Sequence, residues 1–569
     1  MLDTITALFH EALTKSNFSQ QEIPVTYTDD PTHGDIASSI ALKLASEAKK
    51  NPRDVAKTLV EAFPKSLVVE SIAIAGPGFI NITLAKEYFR QNLEDSIKQK
   101  EHFGMTDEGQ GKSIMVEFGQ PNTHKAFHIG HLRSAIAGLA IVGLCKARGF
   151  SVIKANYFGD VGMHVAKCLY GVQQLGIPES FSQYSAHEKM RHLDNCYAYG
   201  SEKFSENPAH EEAIRTINKH VYERDNQAIT ALYDQTRAWS IDHQTEAFAT
   251  LGVTYDRQFP ESEIARDGVA IVQNNPELFT QSQGALIFDG TEQGLTTWVF
   301  MTKEHLPTYS AKDLGLAAKK FSEYPNLDLA IVTTSVEQVD YFKVIIHCFE
   351  TINPKFVGKY RHLAFGWVLR DNKKTSSRLG ESIKGMDILD EVRKLAHELM
   401  NSEKDYTPEE REEISEAVAL AGLKFLILSH EFHKNINYDP EKFMTLSGFS
   451  GPYVLYAYAR SKAILRQYAG DISQKPLLES ISVEEKSLLQ WLIRYPDLLQ
   501  ESAKNFAPHM LCTYLFELAQ RFNNFYKHNQ VLQADTEAEK QQRIAIVASV
   551  AQVLKNGLDV LGIKTVEKM

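Results

Sequence analysis

Five cysteines in 569 residues, none of them in a C-x-x-C pair, leave this sequence without the ligand spacing of a zinc knuckle or a disulfide framework. Cys145, Cys168, Cys196, Cys348 and Cys512 are expected to be reduced thiols, mostly in cores. No uninterrupted apolar run of about 18 residues occurs, and residues 1–20 lack the basic start and long apolar centre of a secretion signal. No membrane partner is expected, and the default location is the cytoplasm. Positive charge is also in short supply, with 61 Lys and Arg against 72 Asp and Glu and a formal net charge of −11. That balance argues against indiscriminate nucleic-acid binding, so any RNA partner must meet local basic patches. Internal repeats and low-complexity tracts are absent as well.

What is present is length. A chain of 569 residues with 43% hydrophobic content exceeds one core and predicts roughly three or four domains. Residues 1–110 read as a separate α/β module. There Asn51-Pro52 caps and starts a helix with apolar spacing at Val55, Leu59, Val60 and Phe63. Two β-rich stretches, 67–75 and 79–84, flank Gly76-Pro77-Gly78 as a hairpin. From Ser113 the pattern becomes strand (114–118), Gly-bearing loop, helix (132–148, stopping at Gly149) and strand (152–158). Such a β-α-β unit normally closes right-handed into a parallel sheet. Residues 178–250 are polar and helix-favouring and read as an insertion; strand-like pieces return at 285–288, 296–300 and 327–333. After about residue 385 the chain reads as almost wholly helical.

The most informative tetrapeptide is His128-Ile129-Gly130-His131, at the loop-to-helix junction of that unit. A helix N-terminus offers free N–H groups and a positive dipole end to phosphate, and Gly130 removes a side chain that would block close approach of ATP. Imidazoles there can donate to an α-phosphate as it becomes five-coordinate. A metal cluster of His124, His128 and His131 is the alternative, although no Cys or nearby carboxylate completes a coordination set.

These four residues resemble the HIGH signature of class I aminoacyl-tRNA synthetases, and the longer run from Glu117 through Gln120, Asn122 and Lys125 to Ser134 resembles its arginyl-tRNA synthetase form. The resemblance implies an α/β multidomain fold: a Rossmann-type parallel-sheet core with a helical insertion, an N-terminal α/β module and a C-terminal all-α anticodon-binding domain. It places the catalytic domain at 111–385, a helical stem at 386–447 and the anticodon-binding domain at 448–569. The segment Lys373-Lys374-Thr375-Ser376-Ser377-Arg378 occupies the place of the family's KMSKS loop, with Thr375 for its methionine and no second lysine. Lys374, Ser376 and Arg378 remain as phosphate clamps. Lys125, just before the HIGH box, is positioned to supply the missing cation.

A guanidinium pocket calls for carboxylates, whose two parallel N–H···O bonds select a fork over lysine's point charge. Glu117 and Asp313 fit, the second within Tyr309-Ser310-Ala311-Lys312-Asp313, which resembles the family's Y-x-x-x-D segment. On a helix Tyr309 and Asp313 would share a face. The resemblance further implies Asn122, His131 and Gln338 at the amino acid's polar head, with Gln120 replacing the family's serine.

Residues 450–460, with Tyr453, Tyr456 and Arg460 followed by Lys462, resemble the entry of the anticodon-binding domain, and 508–526 continues it. Aromatic faces beside cations can stack unpaired bases, although core packing explains the tyrosine spacing equally well. Phe79 and Asn81 match the family's G-F-x-N contact with the D-loop of tRNA. The implied activity is ligation of L-arginine to tRNA(Arg) through an adenylate, with ATP and Mg2+ and no permanently bound metal, by a monomer. Class membership implies the 2′-hydroxyl as acceptor, and the arginyl family implies activation that needs bound tRNA. A synthetase-derived RNA-binding protein without catalysis is the rival expectation.

Overall fold

The computed structural model describes residues 1–370, 384–400, 406–472, 478 and 480–569. The chain opens with α1 (Leu2–Lys15), β1 (Val25–Tyr27), β2 (Ile36–Ser38), α2 (Ile40–Ala48), α3 (Pro52–Ala62), β3 (Val69–Ala75), β4 (Phe79–Leu84) and α4 (Lys86–Gln99). Its strands make an antiparallel sheet in the order β1-β2-β4-β3. Asn51 caps α3 by accepting from the Arg53 N–H, as its sequence position predicts. The β3–β4 turn packs onto the start of that helix, because a Cβ on Gly78 would stand 2.9 Å from the Pro52 carbonyl oxygen.

The central region runs β5 (Ser113–Glu117), α5 (Ile129–Ala147), β6 (Ser151–Phe158), α6 (Met163–Leu175), α7 (Ala186–Glu206), α8 (Pro208–Glu223), α9 (Gln227–Thr250), β7 (Arg257–Pro260) and α10 (Glu261–Gln273). A small antiparallel sheet of β8 (Thr280–Ser282), β9 (Ala285–Phe288) and β10 (Trp298–Met301) follows. Then come α11 (Tyr309–Glu323), β11 (Leu327–Ser335), α12 (Val339–Ile352) and β12 (Tyr360–Phe365). The main sheet has the order β12-β11-β5-β6-β7 and every pairing in it is parallel. After β5 the chain moves outward through β6 and β7, then returns to the other side of β5 as β11. This reversal opens a crevice at the carboxyl ends of β5 and β11, where ligands of open parallel sheets bind.

The remainder comprises β13 (Val368–Leu369), α13 (Gly385–Met400), α14 (Pro408–Leu428), β14 (Ile436–Asn437), α15 (Pro440–Phe443), α16 (Gly451–Gln467), α17 (Val483–Leu492), α18 (Tyr495–Lys504), α19 (Pro508–His528) and α20 (Glu537–Val560). Two-residue strands β13 and β14 pair in parallel, and β14 interrupts the tail expected to be almost wholly helical.

Helix α5 joins these parts. It is long and apolar enough to cross a membrane by length and composition, and 72% of that window is buried inside the protein. An apolar circumference is required because the sheet lies on one side and α14, α18 and α20 on the other. Glycines permit the close approach: a Cβ on Gly143 would lie 2.0 Å from the Val560 carbonyl oxygen, and one on Gly138 would enter the Phe118 ring. All five cysteines are buried.

Candidate active site

The HIGH tetrapeptide sits at the start of α5, one residue position per role. His128 is the N-cap: its Nδ1 accepts from the Gly130 N–H at 3.1 Å, and Nδ1 of His131 accepts from the His128 N–H at 3.2 Å. The two rings stack with centroids 3.7 Å apart. Two expectations change here. The first N–H groups are not all free for phosphate, because the imidazoles cap them. Gly130 is needed for the His128 ring itself, whose Cε1 would stand 2.9 Å from a Cβ at that position.

With both Nδ1 atoms accepting, the proton of each neutral ring resides on Nε2, which makes both rings donors away from the helix. Burial, then the charge of Lys125, pushes His128 down to about 4; burial, then His128 and Lys125, pushes His131 well below its ordinary value. Both are neutral at pH 7. Lys125 lies over the Tyr197 ring at 4.8 Å, on α7 of the insertion, and no carboxylate pairs with it among the described residues. His124 belongs to none of this: it is fully buried with left-handed backbone, its imidazole bonded to Thr123 and Thr236.

Lys374, Ser376 and Arg378 lie outside the described residues, but the chain on either side of them is anchored beside α5. Lys384 bridges to His128, Gly385 donates to the Phe127 carbonyl at 2.8 Å, and Lys384 pairs with Asp194 of α7 at 2.8 Å. On the near side, the buried Arg133 guanidinium donates to the carbonyls of Trp367 (2.9 Å), Phe432 (3.1 Å) and Lys434 (2.9 Å).

A cavity of about 420 Å³ fills the crevice beside β5 and β11. Glu117, Gln120, Asn122, Tyr309, Asp313 and Gln338, all singled out in the sequence, line it together. His131 does not; it stays with the capping pair. Tyr309 and Asp313 share one face of α11, with Tyr309 62% exposed at the rim. Gln120, in left-handed backbone (φ 54°), donates from Nε2 to Glu117 Oε1 at 2.6 Å. The amide that replaces the family's serine therefore orients the first acid. Asn122 lies against Gly159, where a Cβ would be 2.3 Å from its Oδ1.

Sequence reasoning missed Tyr157, Gly159, Glu261, Trp298 and Tyr341, which also line the cavity. Glu261 is buried and paired with Lys312 at 3.0 Å, and Glu117 is paired with the fully buried Lys320. Asp313 differs. Its partner is the Tyr341 hydroxyl, and no cationic side chain pairs with it among the described residues. Burial raises its carboxyl to about 7 against the hydrogen bond from Tyr341, with Glu117 and Glu261 adding to the rise. The Tyr157 hydroxyl is buried without a hydrogen-bond partner. The cavity thus offers one carboxylate without a cationic partner and an unpartnered hydroxyl beside it.

The presumed RNA contacts divide. Phe79 is 40% exposed, whereas Asn81 is 8% exposed within the N-terminal sheet. Arg460 donates to Tyr456 and to Asn523, both at 2.8 Å, and lies over the Tyr456 and Tyr526 rings; Asn523 donates to the Tyr453 hydroxyl. Arg460 and Tyr526 line a cavity of about 550 Å³. Lys462 is held by Glu567 at 3.0 Å.

Three family models match the chain. They describe the arginyl tRNA synthetase N-terminal domain over residues 3–84, the class I (R) tRNA synthetase catalytic domain over 92–439, and the DALR anticodon binding domain over 454–569. An arginine–tRNA ligase of Shewanella piezotolerans is 29% identical, covering 100% of this chain and 99% of that one. In fold, the chain matches Thermus thermophilus arginyl-tRNA synthetase with a TM-score of 0.82 at 24% identity, and the Plasmodium falciparum enzyme with 0.80 at 18%, each covering 100% of this chain and 100% and 99% of theirs. With the catalytic model alone spanning more than half its length, the chain belongs to the class I (R) tRNA synthetases, the arginine–tRNA ligases.

Proposed function

We propose that the cavity beside β5 and β11 holds the arginine substrate of this ligase, with the guanidinium between Asp313 and Glu117 and the amino-acid head towards Asn122 and Gln338. One observation carries this reading: Asp313 is the inner carboxylate of the cavity that lacks a cation among the described residues, and it stands one helical turn from Tyr309. A guanidinium supplies the missing charge and a fork of donors for Asp313, Glu117 and the Tyr157 hydroxyl. A substrate without these donors would leave acceptors buried and unpaired, a difference that reaches roughly 10⁴-fold in such sites.

In the reaction, the carboxylate of arginine attacks the α-phosphate of ATP in line, forming the mixed anhydride and expelling pyrophosphate. His128 and His131 donate from Nε2 to the phosphate oxygens as charge develops, and Lys125 adds a fixed positive charge. Lys374, Ser376 and Arg378 would hold the departing pyrophosphate. Mg2+ would ride on the ATP phosphates. In the second step a hydroxyl of the terminal adenosine of tRNA(Arg) attacks the adenylate carbonyl and AMP leaves. The Arg460, Tyr456 and Tyr526 cluster would meet anticodon bases, and Phe79 the D-loop. We place the enzyme in the cytoplasm as a monomer.

Arginine-dependent ATP–pyrophosphate exchange, measured with and without tRNA(Arg) beside cysteine and glutamate, tests this. Exchange with arginine alone among the amino acids is expected. Absence of exchange under either condition would return the chain to the rival reading of a non-catalytic RNA-binding protein.

A further inference from the structure

Three carboxylates face inward around the arginine cavity, and two of them carry their own lysine. Glu261 is paired with Lys312, which also donates to the Tyr222 hydroxyl at 3.2 Å. Glu117 is paired with Lys320, a residue two helical turns beyond Asp313 on α11. The second pair is the more deeply enclosed, with side-chain exposures of 0% for Lys320 and 2% for Glu117. The ammonium of Lys320 has the face of Tyr360 on another side, 5.0 Å from the ring centre. It does not line the cavity, so it acts on the substrate only through Glu117.

We propose that Lys320 is a positioning residue that sets substrate specificity: by holding Glu117 as a neutralised pair it leaves Asp313 as the one inner carboxylate answering a single univalent cation. The proposal rests on the arginine reading of this cavity. Both oxygens of Glu117 are then assigned, Oε2 to the ammonium and Oε1 to the Gln120 amide. Glu117 can still accept from a guanidinium, but in a fixed orientation and without adding net charge. Two uncompensated carboxylates facing one enclosed space cannot both stay ionised without cost, and one of them takes up a proton. Lys320 offsets the charge of Glu117, so that the rise of the Asp313 carboxyl stops at about 7. Glu261 takes no part, because Lys312 neutralises it, and Glu337, exposed at the rim, is open to water.

The groups facing Asp313 are Tyr341 from α12, Glu117 from the end of β5, Glu261 from the start of α10, Tyr157 from β6, Tyr360 from β12, and Tyr309 and Lys320 from its own helix. Removing Lys320 therefore strips compensation from both neighbouring acids at once. The test is the KM for arginine in aminoacylation as a function of pH, for wild type, K320M, K320R and the double variant E117Q/K320M, each with its thermal midpoint. Wild type should show KM rising below an inflection near pH 7. In K320M the inflection should move up by about one pH unit and KM at pH 7 rise roughly 5-fold, with kcat changed less, because binding now competes with an extra proton. K320R should restore the wild-type profile to within about threefold. The double variant removes both charges and should keep the wild-type inflection with KM raised at every pH.

An inflection unmoved in K320M, or one moved equally in K320M and in the double variant, would overturn the role given to Lys320. If K320M is too unstable to assay, K320R and the double variant decide: loss of the wild-type inflection in either overturns the proposal. Wild-type enzyme that does not use arginine would instead refute the arginine reading itself, a separate result.

Discussion

Replacing Asp313 with asparagine isolates the charge on which the proposed arginine recognition depends. The substitution keeps an oxygen to accept from Tyr341 and nearly the same volume, so packing beside α12 is preserved. Moving a carboxyl from 3.8 to about 7 corresponds to about 4 kcal/mol, the cost of keeping Asp313 charged in the empty cavity. The direction follows from the same values. Because the folded value lies above the unfolded one, the folded protein holds a proton between about pH 4 and pH 7 that the unfolded chain has released. The contribution of Asp313 to stability is fullest below about pH 4 and is lost as pH rises through 7. D313N should therefore be more stable than wild type at pH 8, by up to about 4 kcal/mol, and nearly equal to it at pH 4. Arginine binding must go the other way. Losing one partner of an enclosed carboxylate–guanidinium pair costs roughly 2–5 kcal/mol, so the dissociation constant should rise by about 30-fold to several thousandfold. Calorimetric titration of arginine in buffers of different ionisation enthalpy would also show proton release on binding to wild type below pH 7 and none for D313N. A D313N protein that binds arginine as wild type does, or that loses stability at pH 8, would refute this reasoning.

Gly159→Ala would push a methyl group against Asn122 Oδ1, and it should raise the KM for arginine by about tenfold while the KM for ATP stays unchanged. An unchanged arginine KM would remove Asn122 from the amino-acid head. His128→Asn should lower the activation rate roughly 10²–10³-fold. Because burial holds His128 near 4, wild-type activity should show no inflection from this group between pH 6 and 9 in single-turnover adenylate formation. Arg133→Met leaves three part-buried carbonyls without their donor and should cost about 2 kcal/mol in denaturant unfolding. In exchange assays it should also raise the KM for ATP more than that for arginine, because Arg133 ties the segment before the phosphate loop to α5.

What could be read from the sequence was local. The β3–β4 hairpin follows from Gly76-Pro77-Gly78, α3 from its Asn51 cap, and the HIGH loop from glycine and histidine at a strand-to-helix junction. Helix α5 begins at Ile129 rather than Leu132, since histidine serves as the cap where serine or aspartate is the usual signal. Glu117 and Asp313 could be paired in advance because a guanidinium demands acids and the family resemblance named the segments. Their companions could not. Glu261, Tyr341 and Trp298 reach the cavity only after the parallel sheet has brought together the starts of α10 and α12 and the edge strand β10, a long-range arrangement with no local signature. Lys312 and Lys320 look like solvated lysines on a polar helix, and only the packing of α11 against α10, α12 and β10 turns them inward. The short strands β1 and β2 gave no periodicity to detect, being three residues each.

The most direct measurement is a crystal structure of the protein with arginine bound. Guanidinium density is expected between Asp313 and Glu117, with the carboxylate end directed towards Asn122 and the His128–His131 pair. Arginine bound with its amino head against Asp313, or held in another part of the molecule, would contradict it.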